Sequence, residues 1–348
     1  MILGINNLLA VDLSYWQQSV LRSVAVLVFI ILGAGTFVIV FLFKMMSYMQ
    51  SRLGPMEAGP HGSLQLLAEV GKFLQKEDLV PDKADAVLFK LAPYIVLAST
   101  FLLVVVMPFG PDAYFTNLDT GIFLAMGLSS ISVIGVLIAG WASSNKYSLI
   151  GGLRAAGQLI AYELPMVLAV VGVVIQAGTL NLQGIVTAQH EGAIFGFDGI
   201  GNPFVITQLV GFLVFLTATQ AELAQPPFDM PVAESEIVTG YITEYSGLRF
   251  LLFFIGEFAT AGAFAAIAAT LFLGGWSLPF VDLDENFMNV VGPLVLFGKM
   301  MLVGFLIFWV RFTFPRFRED QLQAFAWKYL IPISLVNILV TMILKVAF

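Results

Sequence analysis

Eight stretches of this 348-residue chain are apolar for long enough to cross a bilayer, and no other feature limits the fold so strongly. They lie near residues 19–43, 91–108, 120–141, 159–177, 203–223, 249–273, 290–311 and 326–346. Each approaches the roughly 20 residues that a helix needs to cross the hydrocarbon core. A backbone in lipid must satisfy its own hydrogen bonds, so these stretches are predicted to be helices, and the short alternating segments of a barrel are missing. Hydrophobic residues make up 59% of the chain and charged residues 11%, against about 45–50% and about 25% in soluble domains. The expectation is an all-α polytopic membrane protein: one integral membrane domain over 1–348 with about eight transmembrane helices.

Charge predicts the orientation. The connections after spans 1, 3, 5 and 7 carry Lys44, Arg52, Lys72, Lys76, Lys83, Lys90, Lys146, Arg154, Arg316 and Arg318, with Arg249 and Arg311 at helix ends. The connections after spans 2, 4 and 6 carry no Lys or Arg. The positive-inside rule then places the odd-numbered loops in the cytoplasm and both termini outside the cell inner (cytoplasmic) membrane. The first residues lack the positive n-region and cleavage site of a signal peptide, so a retained segment leading into span 1 is expected. The cytoplasmic loop at 44–90 exceeds a simple connector. Within it Leu64, Leu67, Val70 and Leu74 fall on one helical face and Gln65, Glu69, Lys72 and Lys76 on the other, which predicts an amphipathic surface helix.

Candidate chemistry is sparse. There is no cysteine, so thiolate-held Fe–S clusters are excluded from this chain, and the two histidines, His61 and His190, fall in polar connections. No Walker loop, dinucleotide fingerprint, nucleophile elbow or metal-ligand spacing occurs, and nothing suggests nucleic-acid binding. Ionisable groups inside spans are costly, by about 2.5–3.5 kcal/mol on insertion scales, and so mark sites. Here they are Glu163, Glu222, Glu257 and Lys299. The first two could be merely solvated at the interface, and Lys299 could serve only to pair an acid. A second concentration of acids lies in the loop 224–248. From Glu222 the stretch "AELAQPPFDMPVAESEIVTGYITEYSG" continues through Asp229, Glu234, Glu236 and Glu244 without one Lys or Arg. Pro226, Pro227 and Pro231 break the end of span 5 into an irregular loop. Crowded carboxylates without a counter-charge take up protons readily, unless arginines such as Arg311, Arg316 and Arg318 neutralise them.

Four long blocks carry a resemblance: "MQSRLGPMEAGPHGSLQLLAEVGKFLQKED", "GWASSNKYSLIGGLRAAGQLIAYELP", "PFDMPVAESEIVTGYITEYSGLRF" and "PRFREDQLQAFAWKYLIP". In this order, over about residues 44–333, the chain resembles the H-subunit family of proton-pumping NADH:quinone oxidoreductase, respiratory complex I, and its mitochondrially encoded homologue. The resemblance implies a membrane subunit without a redox centre, with quinone as substrate and with Fe–S clusters and FMN in partner subunits. Implied partners are the peripheral-arm subunits, small membrane subunits and antiporter-like subunits. It implies a quinone chamber formed with Arg52, Glu69, Lys72, Phe228, Asp229, Glu234 and Glu236, and a proton path through Glu163, Glu222 and Glu257, to which the position of Lys299 inside a span adds a further expected member.

The chain departs from the family pattern at Leu42 and Phe43, where a Glu-Arg pair precedes the lysine, at Gln225, where arginine is usual, and at Val232, where glutamate is usual. The lost basic partners leave two rivals: the homologous subunit of a hydrogenase or of a ferredoxin- or reduced-deazaflavin-fed complex, and, from another class, a stand-alone proton-coupled transporter. The second predicts paired broken helices in two repeated halves, which the sequence does not show. A passive anchor for a soluble enzyme would account for the basic loops but not for the acids inside the spans.

Overall fold

In a computed structural model that describes residues 15–192, 203–278 and 285–347, every long apolar stretch contains a helix. Helix α1 (Tyr15–Phe37) continues through a π-helical Val38–Met45 to Met49. There follow α2 (Gln65–Gln75), α3 (Ala86–Val105), α4 (Gly121–Ala142), α5 (Lys146–Ala177), α6 (Leu182–Glu191), α7 (Leu209–Glu222), α8 (Gly247–Phe272), α9 (Glu285–Thr313) and α10 (Glu319–Ala347). Seven of these are long and apolar enough to cross a membrane, and α7 is a shorter apolar helix. At 14 residues it rises about 21 Å, less than the hydrocarbon thickness. The predicted fifth span, 203–223, is therefore helical only in its second part.

Local chemistry sets the helix starts. Asp85 accepts from the amides of Val87 and Leu88 to begin α3, Asn145 from Tyr147 to begin α5, and Asn181 from Gly184 to begin α6. The Asn145 cap explains the largest boundary shift: α5 starts at 146, not 159, so Lys146 and Arg154 belong to a helical extension and not to a loop. Gly178, in the left-handed region at φ +76°, closes the same helix. Short α6 has no counterpart among the predicted elements.

Helix α8 runs through the core. From Ala259 to Phe272 every residue except Thr260 is buried, and the small side chains of "AFAAIAAT" let neighbouring helices approach closely. It packs against α1, α3 and α9, while α3, α4, α5 and α7 follow as a chain of neighbours and α10 lies on the outer side of α5. Large apolar side chains are exposed along the outer faces of α1 and α10.

The surface helix α2 forms where predicted, yet it docks through a different face. Leu66 packs on the core and Phe73 stacks on Phe250 at 5.3 Å, whereas Leu64, Leu67 and Leu74 point away. Both sides of this helix are apolar, so periodicity alone names the wrong one.

Candidate functional site

One helix organises the acidic segment. Arg154, Gln158 and Tyr162 stand four residues apart on α5 and therefore on one face. Arg154 Nη1 donates to Glu236 Oε2 at 2.6 Å. The buried Gln158 amide donates to the carbonyls of Ala221 (2.7 Å) and Phe228 (2.6 Å). Tyr162 packs edge-on against the Phe228 ring at 5.2 Å and donates its hydroxyl to the Leu322 carbonyl at 2.9 Å. Phe228 is further enclosed by Phe317 and Phe325. One turn earlier, Gly151 lies against the turn that begins at Gly240, where a Cβ would meet Gly240 Cα at 2.7 Å, so only glycine permits this approach.

The acids then separate into two groups. Near the end that carries the basic loops, Arg316 grips Asp229 in a bidentate pair of 2.6 and 2.7 Å, donates to Ser235 at 3.1 Å and lies 4.0 Å from Glu236. Those hydrogen bonds to Asp229 raise the guanidinium further above its ordinary range, outweighing partial burial, and the charges of Asp229, Glu236 and Glu234 add to the effect. Arg154 also reaches Glu319 at 3.7 Å. Glu234 is exposed. Glu244 accepts from the side chain of Asn145, which also caps α5. Two of the acids that have no counter-charge nearby in sequence, Glu236 and Asp229, thus obtain one from Arg154 and Arg316, about 80 residues away. The other two arginines expected to neutralise the loop act elsewhere: Arg311 approaches Glu257 and Arg318 pairs with Asp320.

The second group lies inside the bundle. Glu163 of α5 accepts a hydrogen bond from Ser130 of α4. Glu222 ends α7, and Glu257 sits in α8. Glu222 and Glu257 share the wall of a cavity of about 60 Å³ together with Ser132, Leu223, Ala224, Pro231, Tyr241 and Thr260, and a space of this size has room for a few waters. The Glu257 side chain is 38% accessible although bundle atoms surround it, because it faces this cavity. Its partners are distant: Gln225 Nε2 at 3.3 Å and Arg311 Nη1 at 3.6 Å. The Arg311 guanidinium lies 5.7–6.0 Å from the ring centres of Phe258, Phe308 and Phe312, close enough for cation–π attraction. Beside the cavity, Tyr241 has its phenol pushed above the usual range by burial and then by the negative charge of Glu257.

The remaining candidates are dispersed. Lys299 joins neither group of acids. Its ammonium donates at 2.6 Å to the carbonyls of both Leu273 and Ser277, where α8 ends in the turn through Gly274 and Gly275. It thereby binds the carbonyl end of a 26-residue helix, where the macrodipole favours a cation. Glu69 and Lys72 pair with each other at 2.9 Å on α2, and Arg52 donates to Gln50 at 2.8 Å. Among the described residues none of these three is hydrogen-bonded or ion-paired to the 228–236 segment. Of the unusual positions, Gln225 is buried against Glu257 and Val232 is half-buried in the turn Met230–Val232. Leu42 and Phe43 pack on the core, and the adjacent Lys44 ties to the Pro55 carbonyl at 2.7 Å. Sequence reading missed Arg154 as the partner of the acidic loop and Gln158 as its support, and likewise Ser130 as the partner of Glu163 and Tyr241 on the cavity wall. The four-residue spacing of Arg154, Gln158 and Tyr162 was the available signal.

Comparison with known proteins adds an independent line. Residues 21–342 match the NADH dehydrogenase family. The chain is 45% identical over 319 residues to the H subunit of NADH-quinone oxidoreductase from Brevibacillus brevis, covering 92% of this chain and 91% of that protein. It is 44% identical over 324 residues to the proteins of the same name from Anoxybacillus flavithermus and Bacillus cereus, with 92% of each chain covered.

Proposed function

This chain belongs to the NADH dehydrogenase family, among the H subunits of NADH-quinone oxidoreductase, and on that premise we propose that it couples quinone reduction to proton translocation. Other subunits of such a complex are its partners. In this reading Phe228, Asp229, Glu234 and Glu236, with Arg52, Glu69 and Lys72 of the first basic loop, form the wall of a quinone chamber against Fe–S-bearing peripheral subunits. An apolar bundle suits the quinone tail, and a few polar groups suit the head group. Glu163, Glu222 and Glu257 begin the proton route toward the antiporter-like subunits. Lys299, expected on that route, serves in this reading as the cap of α8 and holds the helix that carries Glu257. The basic loops face the cytoplasm, where the peripheral arm docks.

One observation carries the reading. A single segment places Asp229 and Glu236 in the ion-paired network and, a few residues earlier, Glu222 and Gln225 around Glu257. Quinone reduction takes up two electrons and two protons, so charge beside Asp229 changes during turnover. A group of fixed ion pairs passes such a change to its neighbours through shifts in their electrostatic balance. The test is purification in mild detergent with mass spectrometry of all subunits and spectroscopy of the extracted quinone. Co-purification with a flavin-bearing NADH subunit supports the assignment, and a nickel–iron hydrogenase partner refutes it.

A further inference from the structure

The cavity between Glu222 and Glu257 carries a feature that the two acids alone do not explain. Three hydroxyl-bearing residues line it, each from a different element: Ser132 of α4, whose hydroxyl donates to the Ser129 carbonyl at 2.8 Å and keeps its lone pairs free to accept, Thr260 of α8 and Tyr241 of the turn before α8. Thr260 is in turn bonded to Thr100 of α3 at 2.6 Å. One acceptor on its wall, Glu222 Oε2, and one on the neighbour of Glu257, Gln225 Oε1, are buried without a protein hydrogen-bond partner. A buried acceptor left unpaired costs about 1–3 kcal/mol, so the site favours a donor supplied from the cavity. The position of Tyr241 is imposed by its surroundings. Gly240 before it has φ +58°, and a Cβ there would meet the Pro231 carbonyl oxygen at 1.8 Å. The Tyr241 ring lies edge-on to Phe253 at 5.6 Å. The charged groups at the cavity region are Glu222 from α7, Glu257 from α8 and Arg311 from α9, with Glu163 of α5 near enough for its charge to act on Glu222. The parts of α3, α4 and α5 that line it contribute only Val96, Ser132, Val136, Ala155 and Leu159.

We propose that Tyr241 is a proton-relay residue between Glu222 and Glu257, with Ser132 and Thr260 orienting the water that completes the connection. The step balances without a phenolate. A lone pair on the Tyr241 oxygen accepts a proton from one carboxylic acid, directly or through a water that regains its proton from that acid, as the hydroxyl releases its own proton toward the other carboxylate. No electron moves, and rotation of the hydroxyl restores the starting state. The proposal rests on the reading of Glu222 and Glu257 as proton carriers, so the experiment tests the two separately.

Tyr241→Phe retains the ring and removes only the hydroxyl. In membrane vesicles containing the whole complex, the variant should lower quinone-linked turnover and proton translocation together by at least about tenfold. Its solvent deuterium isotope effect should rise above that of the unaltered complex, a change that a packing defect does not produce. NADH oxidation by a water-soluble artificial acceptor, which bypasses the membrane arm, should stay unchanged and reports assembly. Unaltered turnover in Tyr241→Phe, with Glu222→Gln and Glu257→Gln both impaired, overturns the relay and leaves the proton path standing. Unaltered turnover in both glutamine variants overturns the path itself. If Tyr241→Phe does not assemble, the double variant Ser132→Ala with Thr260→Val decides: several-fold slower turnover with a raised isotope effect supports the hydroxyl-lined route, and normal turnover ends it.

Discussion

Asp229 and Glu222 are seven positions apart in one segment and live in opposite chemistry. Asp229 is held by two hydrogen bonds from an arginine at the partly exposed end of the bundle. Glu222 lies inside, beside a small cavity, with an oxygen that no protein donor reaches. The pairs Glu236–Arg154 at 2.6 Å and Glu257–Arg311 at 3.6 Å repeat the contrast. A close bidentate pair fixes both charges, whereas a long contact flanked by an amide leaves a carboxyl group that is able to change its protonation state at smaller cost. In the function proposed above, the first group holds a shape and the second exchanges a proton.

The contrast breaks if both groups respond alike. Glu257→Gln keeps the volume and removes the proton site, so coupled turnover should fall by about tenfold or more while the complex assembles. Rates of quinone reduction and pumping equal to those of the unaltered enzyme would place Glu257 in the structural group. Arg316→Met leaves Asp229 partly buried and unpaired, which should cost about 1–3 kcal/mol. The expected readout is a lower thermal midpoint and faster proteolysis of the 224–246 segment, with most of the loss recovered on adding Asp229→Asn. The alkaline limb sharpens the picture next. Tyr241 and Tyr245 both have phenols raised by burial. The unfolded state loses those protons near pH ~10 while the folded state keeps them, so stability should fall by about 1.4 kcal/mol per phenol for each pH unit above that point. Denaturation midpoints against pH, with Tyr245→Phe and Tyr241→Phe showing a shallower fall, check this. The smallest effect belongs to the exposed pair of α2: Lys72→Ala should change stability by less than ~0.5 kcal/mol in a thermal melt, and added salt should erase what there is.

Much of the fold is legible in hydropathy, because lipid permits little but helix. The limits of that signal show at α5 and α7. A polar cap at Asn145 extends one helix well before its apolar stretch, and the segment at 203–208 does not continue the other despite its apolar character. At the site, the intramembrane acids announce themselves by their cost, and Glu222 and Glu257 are indeed brought to one cavity. The supports of the acidic loop were harder to read. Arg316 was among the three arginines named for this role, but Arg154 and Gln158 reach the loop from a distant helix, and their four-residue spacing shows a shared face without showing what that face meets. The docking face of α2 escaped because Leu66 and Phe73 compete with Leu67 and Leu74 on an apolar helix, and only the neighbour, Phe250, decides between them.

The ladder of Arg154, Gln158 and Tyr162 has a consequence for how this chain tolerates change over generations. Single substitutions remove one rung and leave two. Insertion or deletion of one residue between positions 154 and 162 turns the later rungs by about 100° relative to the first. It would withdraw Gln158 and Tyr162 from the loop, or Arg154, in one event. Descendants of this sequence should therefore vary in the identity of these side chains long before they vary in the length of the helix that carries them, and a comparison of helix lengths across relatives is the place to look for that constraint.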